Sequence, residues 1–131
     1  MKVFLDTNVL VSAFSSTKFC SGLFVRLLES HEILISTEVL RELERILRTK
    51  ISLPEEAIHT TIQFLMDRAN VIHQNAQIDI SIDDQDDALI LTAAIAGEAE
   101  YFVTGDKEIL NLNKIGRMKI MSPREFSDRL G

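Results

Sequence analysis

The chain has 131 residues and carries 14 Lys and Arg against 20 Asp and Glu, which gives a formal net charge of −6. Its length is that of one domain, and 46% hydrophobic residues with only 2 Pro and 5 Gly exclude disordered and low-complexity classes. The acidic balance argues against a protein that binds nucleic acid through phosphate contacts alone.

The sequence favours a cytoplasmic protein. A single cysteine, Cys20, excludes a disulfide framework or a zinc site built on cysteine pairs, and it fits a reducing compartment. The longest uncharged stretch near the middle, Ala88–Gly97, is about half as long as a bilayer requires. Asp6 interrupts the N-terminal apolar run before a signal peptide could form, so we expect neither a membrane segment nor secretion.

Hydrophobic periodicity and turn residues predict strands that alternate with helices. In the first half of the chain, the predicted elements are a buried strand ending at Asp6 that runs into a loop or helix, a helix over 19–28, a strand over 33–35 and a helix over 37–49 capped by Ser36 or Thr37. A helix over 54–67, a short strand at 71–72, a helix over 87–97 and a strand over 101–104 follow. The last elements are a short helix after Asp106, a strand over 118–121 and a terminal helix opened by the capping box of Ser122 and Glu125. This alternation predicts a single domain over 1–131 with a three-layer α/β/α sandwich fold and a mostly parallel central sheet.

Three acids from distant positions are expected at one edge of that sheet. Asp6 ends the first strand, Asp106 follows the strand over 101–104, and Asp87 begins the helix that leads into that strand. In open parallel sheets, sites form outside the carboxyl ends of the strands at a topological switch point. Helix capping would explain each acid singly, but it does not predict that all three share one edge.

Glu42 is the fourth candidate, because it lies at the border between the apolar and polar sides of its helix. The alternative is a surface glutamate paired with Arg41 or Arg45. We call Asp6, Glu42, Asp87 and Asp106 the acidic rim. Five aspartates also fall within nine residues without a basic residue between them, and they are either a solvated loop or part of a cation site: Asp79, Asp83, Asp84, Asp86 and Asp87.

Four carboxylates without a basic partner are the ligands that a divalent cation with oxygen preference requires, so Mg²⁺ or Mn²⁺ is the expected ion. Zinc is disfavoured because His31, His59 and His73 lack ligand spacing. Their scatter and the isolated Cys20 also argue against a nucleophile and base pair.

Four segments resemble a known family: VFLDTNVL at 3–10, STEVLREL at 36–43, DQDDALILTAA at 84–94 and FVTGDKEIL at 102–110. In this order and over nearly the whole chain, they resemble the PIN-domain ribonucleases found as VapC-like toxins of toxin-antitoxin pairs. The resemblance implies a Rossmann-like fold and a metal-dependent endoribonuclease that hydrolyses RNA phosphodiester bonds. It further implies a cognate antitoxin protein as partner and, by family expectation, a homodimer.

The resemblance also implies residue roles. The acidic rim matches the family's catalytic and metal-binding carboxylates, Asn8 and Thr104 are supporting polar neighbours, and Asp84 is an additional metal ligand. Asp86 is adjacent to Asp87 and remains the alternative to it as the core ligand.

Three questions stay open at this stage. A non-catalytic PIN-like module that docks another protein is an alternative to the nuclease, whereas a receiver-like signalling domain is disfavoured because the first strand lacks an acid pair. Whether the nuclease is a toxin or a housekeeping enzyme is also open. The basic side chains of the helix over 37–49 and after it are either a guide for RNA or a solvated face: Arg41, Arg45, Arg48 and Lys50.

Overall fold

Six strands form one sheet and seven helices accompany them in the computed structural model, which describes residues 1–15, 18–73 and 80–131. The elements are β1 Lys2–Leu5, α1 Thr7–Ser15, α2 Lys18–Ser30, β2 Glu32–Ser36, α3 Thr37–Thr49, α4 Glu55–Arg68, β3 Asn70–Ile72, α5 Gln85–Ala96, β4 Tyr101–Val103, α6 Lys107–Leu110, β5 Lys114–Ile115, β6 Met118–Met121 and α7 Pro123–Leu130. The predicted α/β fold class with a mostly parallel sheet is confirmed.

The order of the strands places a switch point beside β1. The sheet runs β3-β2-β1-β4-β6-β5, and every pair is parallel except the antiparallel pair of β5 with β6. The chain therefore leaves β1 towards β2 and β3 on one side and returns to β4 on the other. This is the place where the loops after two neighbouring parallel strands diverge and leave a crevice.

The central strands are covered on both faces. Val3, Phe4 and Leu5 of β1 are fully buried although successive side chains point to opposite sides of a sheet. Burial on both faces is typical of a parallel sheet that lies between helices. Phe4 and Phe102 stack across β1 and β4 with ring centroids 5.3 Å apart, which ties the two strands on either side of the switch point.

Polar side chains set the start of several helices. Ser36 accepts a hydrogen bond from the backbone N–H of Val39 and so caps α3, and Ser122 and Glu125 form the predicted capping box of α7. The start predicted for α5 at Asp87 is wrong by two residues: α5 begins at Gln85 because the carboxylate of Asp84 provides the cap.

The two-residue strand β5 was not predicted, because Lys114–Ile115 is too short to show an alternating pattern. Asp79 of the predicted acidic segment lies outside the described residues. Among the helices that the structure describes, none is both long enough and apolar enough to cross a bilayer.

We expect Phe102→Ala to lower the free energy of unfolding by about 3–5 kcal/mol, because it removes a fully buried ring and leaves a cavity at the centre of the sheet. Urea denaturation measures this change. Val25→Ala, at a side chain of α2 that is 51% exposed, is the control and should stay within about 0.5 kcal/mol. A loss below about 1 kcal/mol for Phe102→Ala would contradict the described core.

Candidate active site

The carboxylate of Asp6 is buried at the carboxyl end of β1, where only 4% of the residue is exposed. The main chain at this point continues the sheet, since the N–H of Asp6 donates to the carbonyl of Val103 at 3.0 Å. The Asp6 carbonyl then accepts the first hydrogen bonds of α1 from Val9 and Leu10. Asp6 therefore stands at the junction of strand and helix, which fixes the position of its side chain.

Three donors compensate the burial of this carboxylate. Its Oδ1 accepts from the backbone N–H of Thr7 at 2.8 Å, and its Oδ2 accepts from Thr104 Oγ1 at 2.7 Å and from Asn8 Nδ2 at 3.2 Å. A buried carboxylate without such donors would carry a large desolvation penalty. The predicted supporting residues Asn8 and Thr104 are thus both in contact with Asp6.

Asn8 and Thr104 also join the loop after β1 to the loop after β4. Thr104 Oγ1 accepts from Asn8 Nδ2 at 3.3 Å and from the backbone N–H of Asp106 at 3.0 Å. Asn8 Oδ1 accepts from the backbone N–H of Gly105 at 2.8 Å. A Cβ atom at Gly105 would lie 3.3 Å from that oxygen, so glycine permits the close approach of the two loops. One network therefore holds Asp6 and Asp106 in fixed relation.

Burial is the largest cause that raises the pKa of Asp6. The hydrogen bonds from Thr104 and Thr7 oppose it, whereas the negative charges of Glu42 and Asp106 raise the pKa further. Glu42 comes from α3, where it is half-buried. The structure thus brings the carboxylate of Glu42 into the electrostatic neighbourhood of Asp6, and within the described ranges Glu42 forms no ion pair with Arg41 or Arg45.

Asp87 lies in the first turn of α5 and has a pKa raised from 3.8 to about 7. Burial is the largest cause, and the charges of four other acids add to it in the order Asp84, Asp106, Asp6 and Glu108. The charges of two members of the acidic rim, Asp6 and Asp106, therefore raise the pKa of a third, Asp87. Glu108, in the first turn of α6, was missed by the sequence reasoning, although its place two residues after Asp106 is a signal that could have identified it.

The remaining predicted acids have distinct positions. Asp84 Oδ1 accepts from the N–H groups of Asp86 and Asp87, so Asp84 is the cap of α5 as well as a source of charge at Asp87. Asp106 caps α6 in the same way through its Oδ1, with the N–H groups of Glu108 and Ile109 as donors. Asp86 is exposed at the start of α5. Between Asp86 and Asp87, the half-buried position of Asp87 and its coupling to Asp6 favour Asp87 as the core residue.

The donor chemistry of this region fits a divalent cation. Carboxylate oxygens are the ligands that Mg²⁺ and Mn²⁺ prefer, and in the described part of the chain no Lys or Arg forms a salt bridge with any member of the acidic rim. No three acidic, His or Cys side chains among the described residues are already spaced to hold one ion. Without a cation between them these carboxylates repel one another. To coordinate one ion together, their side chains would therefore have to move closer.

A family model described as "PIN domain" matches residues 2–108. The chain belongs to the PIN-domain family. The matched range contains all eight predicted site residues of this PIN domain, from Asp6 to Asp106. The comparison with curated proteins gives no match.

Three solved structures illustrate the similarity of fold. VapBC2 from Rickettsia felis, bound to a DNA fragment of its promoter, is 21% identical with a TM-score of 0.67, over 93% of this chain and 98% of that one. VapBC-1 from nontypeable Haemophilus influenzae is 20% identical with a TM-score of 0.68, over 95% and 99%. VapC20 from Mycobacterium tuberculosis, a toxin that cleaves the sarcin-ricin loop, is 14% identical with a TM-score of 0.64, over 89% and 98%. At these identities the likeness concerns the fold.

The raised pKa of Asp87 gives this PIN domain a defined pH dependence of stability. Between about pH 4 and pH 7 the folded state keeps a proton on Asp87 that the unfolded chain has lost, so stability falls as the pH rises through this window. Asp87→Asn removes the effect. In chelator, the melting temperature of Asp87→Asn minus that of the wild type should therefore increase from pH 4 to pH 7. Asp67→Asn makes the same change at an exposed position of α4 and is the control, which should show no such increase from pH 4 to pH 7. An equal difference for Asp87→Asn at both ends of the window would contradict the coupling.

Proposed function

We propose that this PIN domain is a divalent-metal-dependent endoribonuclease that hydrolyses RNA phosphodiester bonds and is the toxin of a toxin-antitoxin pair. The observation that carries the proposal is the acidic rim, in which carboxylates from separate elements act on one another at the carboxyl ends of β1 and β4. Membership of the PIN-domain family supports it, because PIN-domain nucleases generally use divalent metal.

An acidic rim alone cannot bind RNA, because it repels the negatively charged phosphodiester. A divalent cation supplies positive charge that neutralises the non-bridging phosphate oxygens and stabilises the leaving oxygen, and it lowers the pKa of a water molecule. The residues that would hold Mg²⁺ or Mn²⁺ are Asp6, Glu42, Asp84, Asp87 and Asp106. No basic side chain competes with a cation for these carboxylates in the ranges described.

The polar neighbours of Asp6 would preserve the order of the site. Thr104 and Asn8 donate to Oδ2 of Asp6, which fixes the direction in which its remaining lone pairs point. Oδ1 of Asp106 receives both capping N–H groups of α6, so Oδ2 lies outside the cap. Asp87, with a pKa near neutrality, would change from partly protonated to fully ionised when a cation binds.

The solved relatives support the biological context. VapBC complexes pair a toxin with an antitoxin protein, and VapC20 is described as cleaving an RNA loop. For this chain we therefore propose RNA as substrate and an antitoxin protein as partner. A homodimer stays a prediction; Met66, half-exposed on α4, lies in the helix where we expect that contact.

Substitution of the acidic rim tests the catalytic proposal. We expect Asp6→Asn and Asp87→Asn to lower RNA cleavage in Mg²⁺ at least about a hundredfold while the proteins stay folded, because each change removes a ligand and relieves repulsion. The measurement is cleavage of total RNA mapped by sequencing, with and without EDTA.

Glu42→Gln and Glu44→Gln are a matched pair on α3; Glu44 contacts Arg48 instead of the rim, so only Glu42→Gln should lose activity. Cleavage at the wild-type rate by both aspartate variants, or cleavage that EDTA does not affect, would contradict the proposal, and no cleavage by the wild type would favour the non-catalytic binding module.

Metal binding should also stabilise the folded protein. Mg²⁺ or Mn²⁺ at 100 times its dissociation constant adds about 2.7 kcal/mol to the free energy of unfolding when only the native state binds. We expect the melting temperature of the wild type to rise with metal concentration and that of Asp6→Asn to rise much less. Scanning fluorimetry measures both, and equal responses of the two proteins would argue against a site at Asp6.

A further inference from the structure

A cavity of about 380 Å³ lies between α3 and α5, directly beside the acidic rim. We call it the α3–α5 cavity. Its lining includes Glu42, which belongs to the rim, and Asp86, which is adjacent to Asp87 in the chain. The cavity therefore shares Glu42 with the candidate active site. Its volume lies in the range of small-ligand pockets, about 300–1,000 Å³.

Two arginines of α3 give this cavity a cationic side. Arg41 and Arg45 are one helical turn apart, so their side chains lie on the same face of α3, and both line the cavity. Each is exposed, and neither guanidinium group has an ion-pair or hydrogen-bond partner among the residues that the structure describes. Two like charges at this spacing repel, and an anion bound between them would relieve the repulsion.

Arg48 on the same helix is different. It contacts Glu55 through two hydrogen bonds, of which the one from Nη2 to Oε2 measures 3.0 Å, and it also lies 3.7 Å from Glu44. These partners hold its charge at the C-terminal end of α3, away from the cavity lining. The basic residues that the sequence grouped together therefore differ in their contacts. The guanidinium groups of Arg41 and Arg45 have no ion-pair or hydrogen-bond partner in the described ranges, whereas that of Arg48 is paired with Glu55 and Glu44.

The other walls of the cavity favour a nucleotide over a bare anion. Leu89 and Ile90 of α5 supply apolar surface against which a base or ribose can pack. Glu38 also lines the cavity, and its buried Oε1 has no hydrogen-bond partner. That oxygen has almost no accessible surface, so the apolar wall is what distinguishes a nucleotide from a bare anion here.

We infer that the α3–α5 cavity is a substrate subsite that binds a nucleotide flanking the phosphate to be cut, with Arg41 and Arg45 as the phosphate contacts. The inference rests on the proposed function, because the cavity shares Glu42 with the acidic rim at which the RNA would be cut. Arg41 and Arg45 would also provide the positive charge that an acidic nuclease requires to bind an extended RNA. Arg41 and Arg45 would bind substrate, and the chemistry would stay with the rim.

The test measures RNA affinity apart from cleavage. A fluorescein-labelled pool of random 12-nucleotide RNAs is titrated with the full chain in Mg²⁺, and every protein carries Asp87→Asn so that the RNA stays intact. We expect Arg41→Gln and Arg45→Gln each to weaken binding about three- to tenfold. Each should also reduce the slope of log affinity against log salt by about 0.7, which is the value for one phosphate contact on a single strand.

The matched control is Arg48→Gln, which removes the same charge from the same helix and should change neither affinity nor slope. Arg45→Lys keeps the charge and should keep the slope. Equal losses for Arg48→Gln and Arg45→Gln would overturn the inference, because they would indicate a diffuse charge effect. Unchanged affinity in the double Arg41→Gln, Arg45→Gln protein would overturn it as well. Cleavage by the wild type decides the proposed function separately, so the two failures are distinguishable.

Discussion

The hydrogen bond from Thr104 to the buried carboxylate of Asp6 is the contact on which the candidate site depends. It crosses from the end of β4 to the end of β1, the two parallel strands that flank the switch point of the sheet. The same hydroxyl accepts the N–H of Asp106, and Asn8 completes the connection. Because Thr104 uses its donor and both acceptor positions, the loops after β1 and β4 are held in one relative position. Asp6 and Asp106, the acids at the start of these loops, are held in position as a result.

This arrangement keeps several carboxylates close to one another without a salt bridge to Lys or Arg in the described part of the chain, and the result is electrostatic repulsion. Burial is the largest cause of the raised pKa values of Asp6 and Asp87, and this repulsion raises both further. The chain's net charge of −6 equals the number of acids assigned to the site and its border: Asp6, Glu42, Asp84, Asp86, Asp87 and Asp106. The proposed cation site would explain the acidic balance, which at first argued against a nucleic-acid partner. Arg41 and Arg45 beside the rim provide the complementary charge for an RNA backbone.

Much of the fold could be predicted because its signals are local. The helix over 37–49 and the strand over 118–121 have the predicted bounds, since Ser36 caps the first and alternating burial marks the second. The prediction that Asp6, Asp87 and Asp106 share one sheet edge was based on their positions at two strand ends and at the start of a helix that leads into a strand. The roles of these residues remain predictions until cleavage is measured.

Other features could not be predicted because they depend on tertiary contacts. Whether Asp84 or Asp87 opens α5 is decided by which carboxylate folds back on the helix N-terminus. The separation of Arg48 from Arg45 depends on Glu55, which lies beyond the end of the helix.

The most direct measurement of the central claim is the location of a bound divalent cation in solution. Substoichiometric Mn²⁺ broadens the NMR signals of nearby amides, so a ¹H–¹⁵N spectrum reports where it binds. The account predicts that broadening begins at Asp6, Asp87 and Asp106 and disappears in Asp6→Asn. Broadening that begins instead at Glu98 and Glu100, at the opposite ends of the strands, or that is unchanged in Asp6→Asn, would contradict it.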